Sequence, residues 1–231
     1  MTQTRSLFLQ SVPAPRDWDQ ARTTGASIAR ARICQAMAQV VAERGYAAVT
    51  VSDVVRTARV SRRTFYEQFQ DKEDCFVETY RTGCENGIAQ IDEALRALAS
   101  PDWRTRLWVS LETYLSILAA EPHFARVLLI DVLGAGSRAL EMRERILGIY
   151  VGHYRGLRER ARLEDPDLPD VPAQFLRGLV GGIAELVQQA LLESPPERVA
   201  DRLKSLTPTL VSFATAVLTG GRESIPLRAT G

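Results

Sequence analysis

The chain has 231 residues, 45% of them hydrophobic and 25% charged, the balance of an ordinary globular protein able to bury a sizeable core. Its formal net charge of +1 excludes a strongly polyanionic or polycationic chain but conceals any local asymmetry. The longest apolar stretch, 107–120, is interrupted by Glu112 and by hydroxyl residues, and falls short of the roughly 18 to 20 apolar residues that cross a bilayer, so no membrane span is expected.

At the N-terminus, Arg5 followed by Leu7-Phe8-Leu9 starts like a leader peptide, but the apolar run ends at Gln10 and charges follow at Arg16 and Asp17. Residues 1–26 are therefore expected to form a flexible arm. Its Arg5, Arg16 and Arg22 could enter a minor groove as basic arms do, but an uninvolved tail is the favoured reading. Residues 1–70 hold ten arginines against five acids, whereas the remainder carries 19 basic and 23 acidic residues. A basic end on a mildly acidic body points to a polyanion as the partner of that end.

Ser27 to Arg44 places Ile33, Met37, Val40 and Val41 on one helical face, and Gly45 supplies a stop. Thr50 then precedes Val51–Ala58, with Asp53 three residues on as a short-armed capping box. After Arg59 and Val60, Ser61 caps a third short helix that runs to about Phe69, and Asp71 caps a fourth that continues toward Ala97. Two short capped helices on a three-residue link, preceded by a longer one, make a helix-turn-helix. Five more helices are expected at about 101–120, 122–133, 137–162, 172–193 and 196–219, each opening near a proline or a small-residue break. Residues 220–231 read as a flexible tail.

The three cysteines, Cys34, Cys75 and Cys84, are odd in number, lack Cys-x-x-Cys spacing and fall in helices. They read as small buried hydrophobes in a reducing, cytoplasmic setting.

The third helix, Ser61-Arg62-Arg63-Thr64-Phe65-Tyr66-Glu67-Gln68-Phe69, divides into an inward face, Phe65 and Phe69, and an outward face of donors. Arginine can bind guanine in a bidentate manner and glutamine can do so for adenine, so Arg62, Arg63, Thr64, Tyr66 and Gln68 are candidates for the groove. A solvated basic helix is the plain alternative.

The string Thr50-Val51-Ser52-Asp53-Val54-Val55, then Val60 to Phe69, then Asp71-Lys72-Glu73 and Phe76, resembles the DNA-binding segment of the tetracycline-repressor (TetR) family. The likeness covers about 50 residues from Ser27. It implies an all-α protein: a three-helix helix-turn-helix domain at 27–73, with the motif at about 50–69, and a regulatory ligand-binding and dimerisation domain at 74–219, about nine helices in all. It further implies that Thr50, Tyr66 and Lys72 hold phosphates, and that Ser52, Arg62, Arg63, Thr64 and Gln68 face bases or nearby backbone. One departure stands out: the turn position that is commonly glycine in that family is Arg59 here, and a left-handed backbone would cost it roughly 1 kcal/mol.

In the body, 107–118 is apolar nearly all round and reads as buried. The resemblance implies an apolar or amphipathic small-molecule effector among helices four to eight, with Trp108, Leu111, Tyr114, Phe124, Asp131, Tyr150, Tyr154 and Phe175 as candidate contacts. Core packing explains each of them as well. Leu203, Leu206, Leu210, Phe213 and Val217 form a bundle seam, and Gly178, Gly181 and Gly182 would let another backbone approach. A homodimer through the last two helices is expected, because two half-sites require two-fold symmetry.

No glycine-rich phosphate loop, metal-ligand pairing or Gly-x-Ser-x-Gly elbow occurs, and only His123 and His153 are present, so no enzyme, metal or cofactor is expected. The reading is a ligand-responsive repressor of double-stranded operator DNA. A helical protein-interaction scaffold without sequence-specific DNA binding is the competing one.

Overall fold

The computed structural model describes residues 18–222, with side chains from residue 25 onward. Among the described residues there are ten α-helices and no strand: α1 (Trp18–Arg44), α2 (Val51–Ala58), α3 (Arg62–Gln68), α4 (Lys72–Arg96), α5 (Trp103–Ala120), α6 (Pro122–Leu129), α7 (Ser137–Glu164), α8 (Ala173–Glu193), α9 (Val199–Ser205) and α10 (Thr207–Leu218). Short 3-10 turns lie at Tyr46–Ala48, Asp131–Gly134 and Pro196–Arg198. The chain divides into two compact units, one of residues up to Ile88 together with Glu121–Arg143, the other of Ala89–Ala120 with the chain from Glu144 on.

The all-helical class is as expected, with three differences in detail. First, α1 begins at Trp18, nine residues before Ser27. Gly25 is the weakest helix former in that stretch, and its cost of about 1 kcal/mol is small for a helix of 27 residues. Residues 18–26 of the arm expected at 1–26 are therefore helical, and the rest of it, with Arg5 and Arg16, lies outside the described residues, as does the chain beyond Arg222. Second, α6 ends at Leu129 and gives way to the 3-10 turn. Third, the helix expected at 196–219 is broken between α9 and α10. Pro208 lacks the amide that would bond to the carbonyl of Lys204, and the hydroxyl of Thr207 donates to that carbonyl instead, at 3.1 Å.

In the first unit, Ile33, Met37, Val40 and Val41 of α1 are buried as their spacing requires, together with Val54, Val55, Phe65, Phe69, Phe76 and Tyr80. Helix α6 packs on α1. Its Phe124 lies flat enough on α4 that a Cβ added to Gly83 would fall 2.2 Å from a ring carbon. The three cysteines are free and buried. Removal from water holds their thiols well above the usual range, Cys34 at about 12, so they stay protonated and inert.

In the second unit, α5 packs on α9 and α10, and α8 on the same pair. Leu107, Leu111, Leu115 and Leu118 of α5 are all buried. The guanidinium of Arg158, buried in α7, donates to the carbonyls of Leu218 and Pro169, so the end of α10 and the 165–172 loop share one clamp. One helix, α8, is long and apolar enough by composition to cross a membrane, but Leu176, Leu179, Val180, Ile183, Val187, Ala190 and Leu191 are its buried face in this bundle.

Candidate DNA-binding surface

Local sequence builds α2 and its entry. The Thr50 hydroxyl accepts from the Asp53 amide at 3.3 Å while Asp53 Oδ2 accepts from the Thr50 amide at 3.1 Å and from its hydroxyl at 2.7 Å, a reciprocal capping box. Asp53 also accepts from Arg44 at 3.0 Å and Arg56 at 2.5 Å. The Thr50 hydrogen bonds, with these arginines behind them, hold its carboxyl far below the usual carboxylate range.

The turn out of α2 is left-handed despite the missing glycine. Arg59 has φ 54° and ψ 47°. Its amide bonds to the carbonyl of Arg56, and the Val60 amide reaches back to Val55 at 3.1 Å, the paired bonds of a Schellman stop. The strained backbone is tolerated because these bonds, and the guanidinium of Arg32 donating to the Ala58 carbonyl at 2.7 Å, satisfy the end of α2.

Ser61 caps α3 through the Thr64 amide at 2.9 Å. Phe65 is fully buried and Phe69 nearly so, which turns Arg62, Arg63 and Tyr66 to solvent, Tyr66 with 55% of its surface exposed. Thr64 and Gln68 are half-buried. The other end of α3 is held by Arg30, whose guanidinium donates to the Gln68 carbonyl at 2.6 Å and lies 4.5 Å from the Phe69 ring centroid. Arg30 is in turn paired with Glu78 of α4 at 3.0 Å, a carboxylate shared with Arg81 at 2.8 Å. Thus two arginines within one turn of α1 cap the carbonyl ends of both helices of the motif. Such bonds from a cation to an orphan carbonyl are the stronger kind.

The expected phosphate contacts are placed unequally. Tyr66 is free to reach outward. The hydroxyl of Thr50 is committed to Asp53, so meeting a phosphate requires it to leave that partner. The Lys72 ammonium donates to the carbonyls of Tyr46 and Val49, both at 3.0 Å, and sits 4.1 Å from the Tyr46 ring centroid. Two of its three donors tie down the loop leading into Thr50, and the third remains. Ser52 is exposed on the first turn of α2. Arg63 pairs with Glu67 at 2.9 Å, both exposed, a bond weak enough in water to yield to DNA.

Of the ten arginines counted in the basic end, Arg30, Arg32, Arg44 and Arg56 are thus engaged within the fold. Arg59, Arg62 and Arg63 are left on the exposed surface of the motif. Charge counting alone overstated the footprint. Sequence reasoning also passed over Arg138, which pairs with Asp71 and Glu73 at 2.9 Å.

The candidate effector and dimer residues fall in different settings. Leu111 and Tyr154 are buried, Tyr114 and Tyr150 are half-buried with ring centroids 6.1 Å apart, and Trp108 and Phe175 are 40% and 56% exposed. In the first unit Phe124 is buried. Asp131 is half-buried, burial raises its pKa, and its Oδ2 has no hydrogen-bond partner. Leu203, Leu206 and Leu210 are buried within their own unit, so intrachain packing already accounts for them. Gly182 is covered by Phe213, whose ring lies 2.8 Å from where a Cβ would stand. Gly178 and Gly181 are exposed with open space beside them, and Phe213 and Val217 are half-buried.

A capped pair of short helices that presents arginines, a tyrosine and a helix N-terminus on one side, and is anchored by cations on the other, forms a helix-turn-helix, the unit that in DNA-binding proteins lays its second helix in the major groove. Residues 33–79 match the family model described as bacterial regulatory proteins, tetR family. The match runs from within α1 through the helix-turn-helix and into α4. It is 26% identical over 122 residues to the fatty acid metabolism regulator protein of Bacillus subtilis, a match covering 53% of this chain and 60% of that one. The chain therefore spans less than two thirds of that relative's length. The fold is similar to that of the fatty acid degradation regulator FadR of Bacillus halodurans, with TM-score 0.72 and 19% identity over 84% of this chain and 97% of the other. It is similar also to FadR of Bacillus subtilis, solved in complex with stearoyl-CoA, with TM-score 0.66 and 19% identity over 83% and 98%. At such identities the likeness is one of fold.

Proposed function

We propose that the protein is a homodimeric, ligand-responsive repressor that grips a palindromic operator with α3 of each subunit. The observation that carries this reading is the α3 surface itself: Arg62, Arg63 and Tyr66 point to solvent from a helix whose N-terminus is capped by Ser61 and whose last carbonyl is held by Arg30. Arg62 and Arg63 would read guanines. Thr64 and Gln68 would sit at the edge of the groove. Thr50, Ser52, Tyr66 and Lys72 would meet phosphate, where helix N-termini and hydroxyls favour an anion. Such work places the protein in the cytoplasm, with the DNA.

Dimerisation would use the solvent face of α8 with the half-buried side of α10. Phe175, Gly178, Gly181 and Leu192 line the first, and Phe213 and Val217 the second. Exposed apolar side chains beside helical glycines suit close packing of a second backbone. The revised surface keeps Gly178, Gly181, Phe213 and Val217 and leaves Leu203, Leu206 and Leu210 to the core.

The effector is a long-chain acyl thioester of coenzyme A. Support comes from the stearoyl-CoA named with one structural neighbour and from the fatty acid regulator among the relatives. The chain's Trp108, Tyr114, Tyr150 and Tyr154 suit an acyl tail. A ligand lowers operator affinity only by binding the non-competent form better.

The test begins with selection of duplexes from a random DNA pool, followed by titration of the enriched sequence. An inverted repeat whose affinity falls steeply with salt is expected. Stearoyl-CoA should release it, while coenzyme A or stearate alone should not. Failure to enrich any sequence at low salt would return the protein to the scaffold reading. Enrichment without release by stearoyl-CoA would discard the effector and keep the operator.

A further inference from the structure

The mouth of α4 is held from two directions, both within the first unit. On one side Lys72 binds the carbonyls of Tyr46 and Val49 and so fixes the loop that enters α2. On the other, Nη2 of Arg138, in the first turn of α7, donates to Asp71 Oδ1 and Oδ2 at 2.9 and 3.0 Å and to Glu73 Oε2 at 2.9 Å. Asp71 is at the same time the cap of α4, accepting from the Asp74 amide at 2.7 Å. The approach leaves no spare room. Gly136 stands at φ +109°, and a Cβ there would lie 2.8 Å from Glu73 Oε1.

Asp71 and Glu73 flank Lys72 directly. Without a counterion they would set two negative charges beside the cation expected to meet phosphate, and their repulsion of DNA would oppose its attraction. Arg138 is the cation paired with both. Its own side chain is 43% exposed, so it is not a core residue whose loss leaves a large cavity.

We propose that Arg138 is a positioning residue for DNA binding, which holds the Asp71–Glu73 pair and offsets half of its charge so that Lys72 and the first turn of α2 can meet phosphate. The proposal rests on the operator-binding reading above. It assigns Arg138 no contact with DNA.

The experiment compares wild type, Arg138→Ala and the triple variant Arg138→Ala/Asp71→Asn/Glu73→Gln on the selected operator across a salt series, with circular dichroism melts of each. Asparagine keeps the cap at position 71. Loss of one unit charge roughly 8 Å from a phosphate in water predicts that Arg138→Ala weakens binding about twofold per subunit at low salt. The triple variant, which removes both carboxylates along with the arginine, should bind at least as tightly as wild type, and the number of counterions released should be unchanged in both. Unaltered affinity in Arg138→Ala overturns the proposal. So does a loss that the triple variant fails to rescue. If that unrescued loss comes with a salt slope smaller by about one, Arg138 is a phosphate contact; if the slope stays the same, its role is structural support alone. Absence of any operator for the wild type would instead sink the functional reading, so the two failures are distinct.

Discussion

Placing a methyl group on Gly83 drives it into the ring of Phe124. The added Cβ would lie 2.2 and 2.3 Å from two ring carbons, Cε2 and Cζ. Ordinary carbon contacts are about 3.5 Å or longer, so the ring must retreat by more than about 1 Å. Phe124 is 2% exposed and cannot swing into solvent. Overpacking of this kind costs about 1 to 3 kcal/mol, and a contact this short belongs at the upper end. Alanine in place of glycine returns about 1 kcal/mol of helix propensity. The balance is a loss of about 2 kcal/mol, or a melting point lower by about 4 to 8 °C for a protein of this size. Gly87, one turn on in the same helix, has nothing within 4 Å of its would-be Cβ. Gly87→Ala should therefore gain about 1 kcal/mol. Urea unfolding of both variants, with m unchanged, measures the pair. Phe124→Leu in the Gly83→Ala background should recover part of the loss. Equal or greater stability of Gly83→Ala than wild type would refute the reasoning.

Arg59→Gly removes an L-residue from φ 54°, a relief of about 1 to 2 kcal/mol, offset in part by glycine's extra entropy of about 0.5 to 1 kcal/mol. Its urea midpoint should rise, and a fall would mean that the Arg59 side chain contributes more than its backbone costs. His153 is half-buried in α7, and its Nε2 lies 3.1 Å from the Ser110 hydroxyl, which donates to the Arg106 carbonyl. The ring is therefore the donor in the first of these bonds. Burial lowers the pKa of His153, with Asp92 opposing and Arg106 assisting. The unfolded chain thus takes up a proton first. The His153 contribution is fully present above the unfolded value of about 6.5 and is lost as pH falls through it toward the folded pKa. Melting points at pH 7.5 and 5.5 should differ less in His153→Gln than in wild type, and an unchanged difference would show that other groups carry it. Arg158→Met leaves the carbonyls of Leu218 and Pro169 without their shared donor. It should destabilise the protein by about 2 to 4 kcal/mol in denaturant, and a loss under 1 kcal/mol would mean that those carbonyls find other partners.

What the sequence disclosed was what neighbours in the chain decide. The caps at Thr50, Ser61 and Asp71 act over three residues, and the inward turn of Phe65 and Phe69 over four, so the reading motif was legible in full. The glycine-free turn was legible as a departure, but whether Arg59 would keep the left-handed backbone was settled by the Schellman bonds and by Arg32, 27 positions away. Arg30, Arg44 and Arg138 belong to the same class. Each meets a partner that no periodicity links to it, and arginine on a helix gives no sign of whether it faces a carbonyl, a carboxylate or water. Leu203, Leu206 and Leu210 were expected at the dimer interface and are buried within their own unit, because a heptad-like spacing does not say whose helix fills the groove. The helix expected at 196–219 ran through Pro208, and the break before it appears only with the Thr207 bond.

The cations of this chain are nearly all guanidinium groups, and Lys72 and Lys204 are its only lysines. Lys204 stands exposed on α9, whereas Lys72 is half-buried against two carbonyls and a tyrosine ring. The molecule thereby carries a two-point amine footprint of its own. An acylating reagent will label Lys204 as an internal standard and Lys72 only when the loop before α2 lets it go, so one mass-spectrometric ratio reports, without any engineered label, whether the loop that leads into the reader is locked or released.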